Sequence, residues 1–199
     1  MTDPSDTTER ALRLTVVIGS VRAHRFGPTP ARWIAALAAA REGLEVDVID
    51  LAEVWLPDVH PDRTGAPPPP AVRDLAPWLA GADAFVVVTP EHNGSIPAPL
   101  KNAIDWYVDE WRAKPVGFVS YGGPSGGLRA VSHLREIFSA LHAATVRDTV
   151  ALMGPDDRFD GQGRPGDPDT VAAAEALLDQ LTWWGRALRE ARERRPFPG

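Results

Sequence analysis

No cysteine occurs among the 199 residues. Disulfides, thiolate zinc sites and iron–sulfur clusters are therefore excluded, and the absence fits a reducing compartment. Long apolar runs are also missing. No stretch approaches the ~20 residues that span a bilayer, so no membrane partner is expected. The first residues, Met1 to Glu9, lack the basic start and apolar centre of a secretory signal, and a cytoplasmic location is the expectation. Positive charge is in deficit. A net charge of −6 argues against a general nucleic-acid binder, although arginines cluster locally at Arg22 and Arg25. The histidines, His24, His60, His92, His133 and His142, form no closely spaced pair on one helix face, so no metal site is expected. Apolar residues make up 44% of the chain, enough for the core of one domain.

Residues 1–11 read as a disordered leader, 12–190 as a single domain, and 191–199 as a loose basic tail. Within the domain, short β-branched apolar runs alternate with stretches of helical period. The runs are Leu12 to Ile18, Glu45 to Asp50, Ala84 to Thr89, Pro115 to Ser120, and Thr145 to Leu152. The first helix is expected to open with Thr29 as N-cap and Pro30 at its first position, and to end at Gly43. A second runs from about Val72 to Ala80. A third carries Leu100, Ala103, Ile104, Tyr107, Val108 and Trp111 at helical offsets. A fourth carries Leu128, Val131, Leu134, Phe138 and Leu141, and a last one Val171, Ala174, Leu178, Leu181 and Leu188. Adjacent Trp183 and Trp184 cannot share one helical face, so at least one should meet a groove, a loop or a partner. Segments 51–70 and 153–168 carry no readable motif.

Strand–helix alternation predicts an α/β fold with a parallel sheet covered on both faces, a three-layer sandwich. The first, third and fourth strands are nearly continuous apolar runs, as central parallel strands should be. The second and fifth carry charge, Asp47 in one and Arg147 and Asp148 in the other, which suits the edges. With right-handed crossovers the five-stranded order 2-1-3-4-5 follows, the flavodoxin-like arrangement. A ligand is expected at its switch point, beyond the carboxyl ends of strands 1 and 3.

The loops at that rim hold the chemistry. Loop 1, Gly19 to Thr29, offers hydroxyls, two guanidiniums and backbone amides at a helix start, a combination that suits a phosphate. It lacks the Gly-Lys-Ser/Thr ending of a Walker loop and is not a GxGxxG turn. Loop 3 reads Thr89-Pro90-Glu91-His92-Asn93-Gly94-Ser95-Ile96-Pro97-Ala98-Pro99-Leu100-Lys101-Asn102-Ala103-Ile104-Asp105-Trp106. It resembles the Pro-Glu-Tyr-Asn-x-Ser-Ile-Pro-Gly-x-Leu-Lys-Asn-Ala-Ile-Asp-Trp stretch of the NADPH-dependent FMN reductases. Loop 1 resembles their Gly-Ser-x-Arg loop, and Ser120-Tyr121-Gly122-Gly123 their glycine-rich flavin turn.

The resemblance, over about residues 12–152, implies FMN as cofactor, NADPH or NADH as hydride donor, and a small electron acceptor such as a quinone or a flavin. It also implies a homodimer, with a tetramer as the further alternative. Ser20, Arg22 and Arg25 would hold the FMN phosphate, with Gly27 and Thr29 at the helix start. Pro90, Glu91, His92, Asn93, Gly94 and Ser95 would wrap the ribityl chain and ring edge. Ser120, Gly122 and Gly123 would approach the ring from the other side. His92 stands where many members have tyrosine, and Arg25 and Gly27 where many have serine and asparagine. No catalytic side chain is required, because the flavin carries the chemistry.

Two other readings stand beside this one: an electron carrier with no substrate of its own, and a binding module that has lost its flavin. Gly123-Pro124-Ser125-Gly126-Gly127 also fits the Gly-x-Ser-x-Gly elbow of hydrolases. No histidine follows His142, however, and both His133 and His142 lie on the helix directly after the serine, so the order of the triad fails.

Overall fold

The structure is a computed structural model that describes residues 10–60, 67–154 and 158–198. Most of the expected leader therefore lies outside the described residues. Strands β1 (Leu12–Ile18), β2 (Leu44–Asp50), β3 (Ala84–Pro90), β4 (Pro115–Gly122) and β5 (Ala144–Met153) alternate with helices α1 (Pro28–Ala39), α2 (Pro70–Gly81), α3 (Ala98–Trp106), α4 (Leu128–Ala140) and α5 (Pro168–Arg194). The strands form one parallel sheet in the order β2-β1-β3-β4-β5, as the distribution of charge predicts. Every residue of β3 is buried, whereas β2 and β5 at the edges are mostly half-covered.

Side-chain alternation along the strands feeds two cores. Val17, Phe85, Val87 and Phe118 meet α2, α3 and α4 through Leu75, Leu79, Leu100, Ile104, Leu134 and Phe138. Val16, Ile18, Val86 and Val88 meet α1 and α5 through Ile34, Ala38, Leu177 and Leu181. The sheet is thus sandwiched, and its carboxyl rim is left to the loops. Trp183 and Trp184 stay exposed on α5 and pack edge-on against each other, ring centroids 4.8 Å apart.

Three elements differ from their sequence expectations. Helix α1 opens earlier, with Gly27 as N-cap and Pro28 in the first turn, because proline needs no amide partner there. Helix α3 stops at Trp106 although the apolar period runs on to Trp111. Tyr107 turns extended (φ −124°, ψ 118°), which lets its buried hydroxyl donate to the Val72 carbonyl at 3.0 Å. Trp111 folds back so that its indole N–H donates to the Ile104 carbonyl at 3.2 Å. Strand β4 continues through Tyr121 to Gly122, pairing Tyr121 with Pro90 of β3 and Leu152 of β5.

At the opposite end of the sheet, Asp83 is almost fully buried and gathers Arg10 (3.0 Å), Arg189 (3.4 Å) and Arg192 (3.4 Å). Arg192 also donates to the Ala113 carbonyl and Arg189 to those of Arg10 and Ala11. These bonds hold α5 in helical form through Arg194, past the point where the sequence reading ends the domain. Lys114, buried beside them, donates to the Leu79 and Ala80 carbonyls at the end of α2, at 2.9 and 2.8 Å. Burial first, and then the Arg192 charge, lower its pKa to about 8.

Candidate functional site

Loop 1 leaves β1 at Gly19, whose amide donates to the Val88 carbonyl of β3 at 2.9 Å. From Ser20 to Phe26 no backbone N–H donates to another described residue. The first turn of α1, by contrast, has no amide to offer. Pro28 and Pro30 have none, and that of Thr29 is spent on the Phe26 carbonyl at 2.9 Å. Sequence reasoning placed free amides at the helix start; the structure leaves them in the loop ahead of it.

The side chains complete the cradle. Ser20 is buried, Thr29 is half-buried, and Arg22 is exposed without an ion pair among the described residues. Arg25 reaches back to Asp50 at the end of β2, which fixes one end of its guanidinium and leaves its Nε buried with no partner. Tyr121 rises from the end of β4 beneath the loop. Its hydroxyl lies against Ser20 and Gly27 but completes no hydrogen bond. A Cβ on Gly27 would come within 2.9 Å of that oxygen, so the close approach demands glycine. Burial raises the phenol pKa, so Tyr121 keeps its proton as a donor. Two buried donors without acceptors, beside a guanidinium and a row of unspent amides, form a donor set that matches a phosphate. The residues present therefore fit the phosphate end of FMN.

Loop 3 folds into a tight hairpin. The backbones of His92 and Ser95 exchange two hydrogen bonds of 2.9 Å. Asn93 (φ 51°) and Gly94 (φ 77°) supply the positive φ angles of a type I′ turn, the reason for Asn-Gly. Pro90 ends β3 and is buried. Glu91 is bound to the other side of the rim: its amide donates to the Tyr121 carbonyl at 3.0 Å. Its carboxylate accepts from the Ser125 hydroxyl (2.8 Å) and the Arg129 amide (3.2 Å) at the start of α4. Glu91 thus holds loop 3 to loop 4. Burial, and next the charge of Arg22, lower the pKa of His92, which keeps the ring neutral near pH 7.

Gly122 and Gly123 continue β4 at the rim, and a Cβ on Gly123 would meet nothing within 4 Å. The expected residues of loops 1, 3 and 4 are therefore gathered at the carboxyl ends of β1, β3 and β4. Two hydroxyls are committed elsewhere. That of Ser120 is fully buried and donates to the Gly126 carbonyl at 2.7 Å, while that of Ser95 pairs with His133 Nδ1 at 2.9 Å. The elbow serine, Ser125, bonds Glu91 and the Gly127 amide, and no histidine joins it among the described residues. Beside loop 1, Val21, Leu51, Val54, Trp55, Leu56 and Pro99 line an apolar cavity of about 300 Å³.

Sequence reasoning missed Tyr121, Asp50, Phe26 and His133. For Tyr121 a signal existed: two positions beyond Val119, it shares that residue's face of the strand, and Val119 and Tyr121 both enter the core on the α1 side.

Residues 12–156 match the family model of the NADPH-dependent FMN reductases. An NAD(P)H-dependent FMN reductase of Schizosaccharomyces pombe is 34% identical over 80% of this chain and 82% of its own length. An NADPH:quinone oxidoreductase of Arabidopsis thaliana is 33% identical over 85% of this chain and 90% of its own. Among solved structures, a flavoenzyme NAD(P)H:acceptor oxidoreductase of Paracoccus denitrificans superposes with a TM-score of 0.77 at 23% identity, over 89% of this chain and 98% of its own; it shares the fold. With the rim so built and the match spanning all three loops, the chain belongs to the NADPH-dependent FMN reductase family.

Proposed function

We propose that the rim of loops 1, 3 and 4 holds FMN, and that the chain works as an NAD(P)H-dependent oxidoreductase for a small acceptor of the quinone or flavin type. The observation that carries this is the orphaned pair of donors, Tyr121 Oη and Arg25 Nε, beneath a loop whose amides are unspent. Ser20, Arg22, Arg25, Thr29 and Tyr121 grip the phosphate. The hairpin 92–95 and the open edge at Gly123, next to the closely packed Gly122, flank the ring. Glu91 keeps those two walls at a fixed separation, so that two flat rings can stack between them. Bound there, FMN supplies hydride transfer, accepting from reduced nicotinamide and giving to the acceptor. His92, neutral and beside Arg22, adds no charge to this pocket.

The assignment extends to setting. A single domain from residue 12 to the end of α5 works in the cytoplasm as a homodimer. Support for the dimer lies beside α3. Trp55 and Val59 are left 89% and 80% exposed on a segment bound to that helix, where Trp106 and Asn102 both donate to the Pro57 carbonyl, at 2.9 and 3.1 Å. Purified protein should be yellow and should oxidise NADPH rapidly with a quinone. A yellow protein that oxidises NADPH only when a partner reductase is added would be an electron carrier. A colourless one that ignores added FMN would refute the flavin reading.

A further inference from the structure

We infer that the connection between β5 and α5, residues 158–167, is a clasp on the phosphate loop, with Phe159 as the positioning residue. The inference rests on loop 1 being the phosphate grip. It concerns a segment that the sequence left without a motif and that lies beyond the family match at residue 156.

The clasp has its own scaffold. Asp160 accepts from the amides of Gln162 and Arg164, both at 2.9 Å, and from the Arg164 guanidinium at 3.1 Å. Phe159 pairs with Pro165 as an isolated bridge. Arg158 anchors the base by donating to the Met153 carbonyl at 2.9 Å. A turn so internally bonded holds its shape while exposed, and it presents one apolar side chain inward.

That side chain is Phe159. It meets Trp33 of α1 at 5.7 Å and Phe26 of loop 1 at 5.6 Å, both edge-on. Phe26 in turn meets Tyr121 edge-on at 5.2 Å. Phe26 is therefore wedged between the clasp and the tyrosine whose hydroxyl lies under the cradle. Its chain neighbours are Arg25 and Gly27, both part of the grip. Loop 1's backbone ties Phe26 through its carbonyl, which accepts from the Thr29 amide at 2.9 Å, while the amides from Ser20 to Phe26 bond no other described residue. The ring contacts restrain its side chain. Edge-to-face pairs prefer a defined orientation, so they fix direction as well as distance. The site thus gains one restraint, on Phe26, from the ring contacts of a loop outside it.

The test separates phosphate grip from ring binding. Full-length protein is stripped of flavin and titrated with FMN and with riboflavin, which lacks the phosphate. The Phe159→Ala variant should bind FMN on the order of tenfold more weakly, with riboflavin affinity held within about twofold. Phe159→Tyr should restore the wild-type ratio. Phe159→Leu keeps apolar bulk without the ring edges; it should lower the ratio in the same direction and decides the matter should the alanine variant fail to fold. An unchanged FMN-to-riboflavin ratio in these variants, with wild type strongly favouring FMN, would overturn the clasp and leave the phosphate site standing. Equal binding of the two flavins by wild type would overturn the phosphate site itself, and the clasp with it.

Discussion

Replacing Tyr121 by phenylalanine deletes one oxygen, and under the proposed phosphate grip that oxygen has opposite effects in two states. Without ligand, the hydroxyl is buried with no partner, a condition that costs about 1–3 kcal/mol. The Tyr121→Phe apoprotein should therefore be as stable as wild type or gain up to about 1 kcal/mol, since the ring keeps its packing on Phe26. With FMN present, the same hydroxyl becomes a donor to a charged phosphate, a bond worth about 1.5–3 kcal/mol. The variant should then bind FMN roughly 10- to 150-fold more weakly. Burial raises the phenol pKa, so the effect should persist unchanged into mildly alkaline buffer. Denaturant melts of apoprotein and fluorescence titrations with FMN and riboflavin measure the two sides. Unaltered FMN affinity, or an apoprotein clearly less stable than wild type, would refute the reasoning.

Two further outcomes are expected. Arg22→Ala should weaken FMN binding by about 1.5–3 kcal/mol at low salt; because Arg22 is exposed, the loss should shrink as added salt screens the charge, and a loss independent of salt would contradict an electrostatic role. Lys114 has its pKa lowered to about 8, so above that value the unfolded chain binds the extra proton. Its contribution to stability should therefore rise from pH 8 to about 10.5, by about 3 kcal/mol at most. Melts of wild type and Lys114→Met across that range should diverge in favour of wild type, and parallel curves would show that Lys114 does not titrate there.

The fold was legible because its signals are local and redundant. Val86, Val87 and Val88 need cover on both faces, whereas Asp47 and Arg147 do not, and that contrast together with right-handed crossovers orders the strands. Loop 3 was legible as a motif whose Asn93-Gly94 pair has a backbone reason to exist. Interactions between distant parts of the chain were hidden. The period of α3 runs on to Trp111, but Tyr107 breaks it to reach Val72, a partner on another helix that no window of sequence contains. Arg25 read as a free guanidinium because nothing near it announces Asp50. Ser120 and Ser95 read as ligand hydroxyls, and their bonds to Gly126 and His133 depend on turns that bring those groups back. Phe159 gave no signal at all, since an aromatic in a turn-rich segment declares no partner.

The two prolines at the head of α1 have a consequence for how such a protein can be retuned. A pocket that clasps an anion with peptide N–H groups is hard to modify, because every residue type carries the same group. Here the first turn of the helix contributes none, and in the proposed grip much of the holding power lies in replaceable side chains, of which Arg22 is exposed at the rim and not part of the core. Cofactor residence time can then drift, from a permanently installed group to one exchanged at every cycle, without the scaffold having to change.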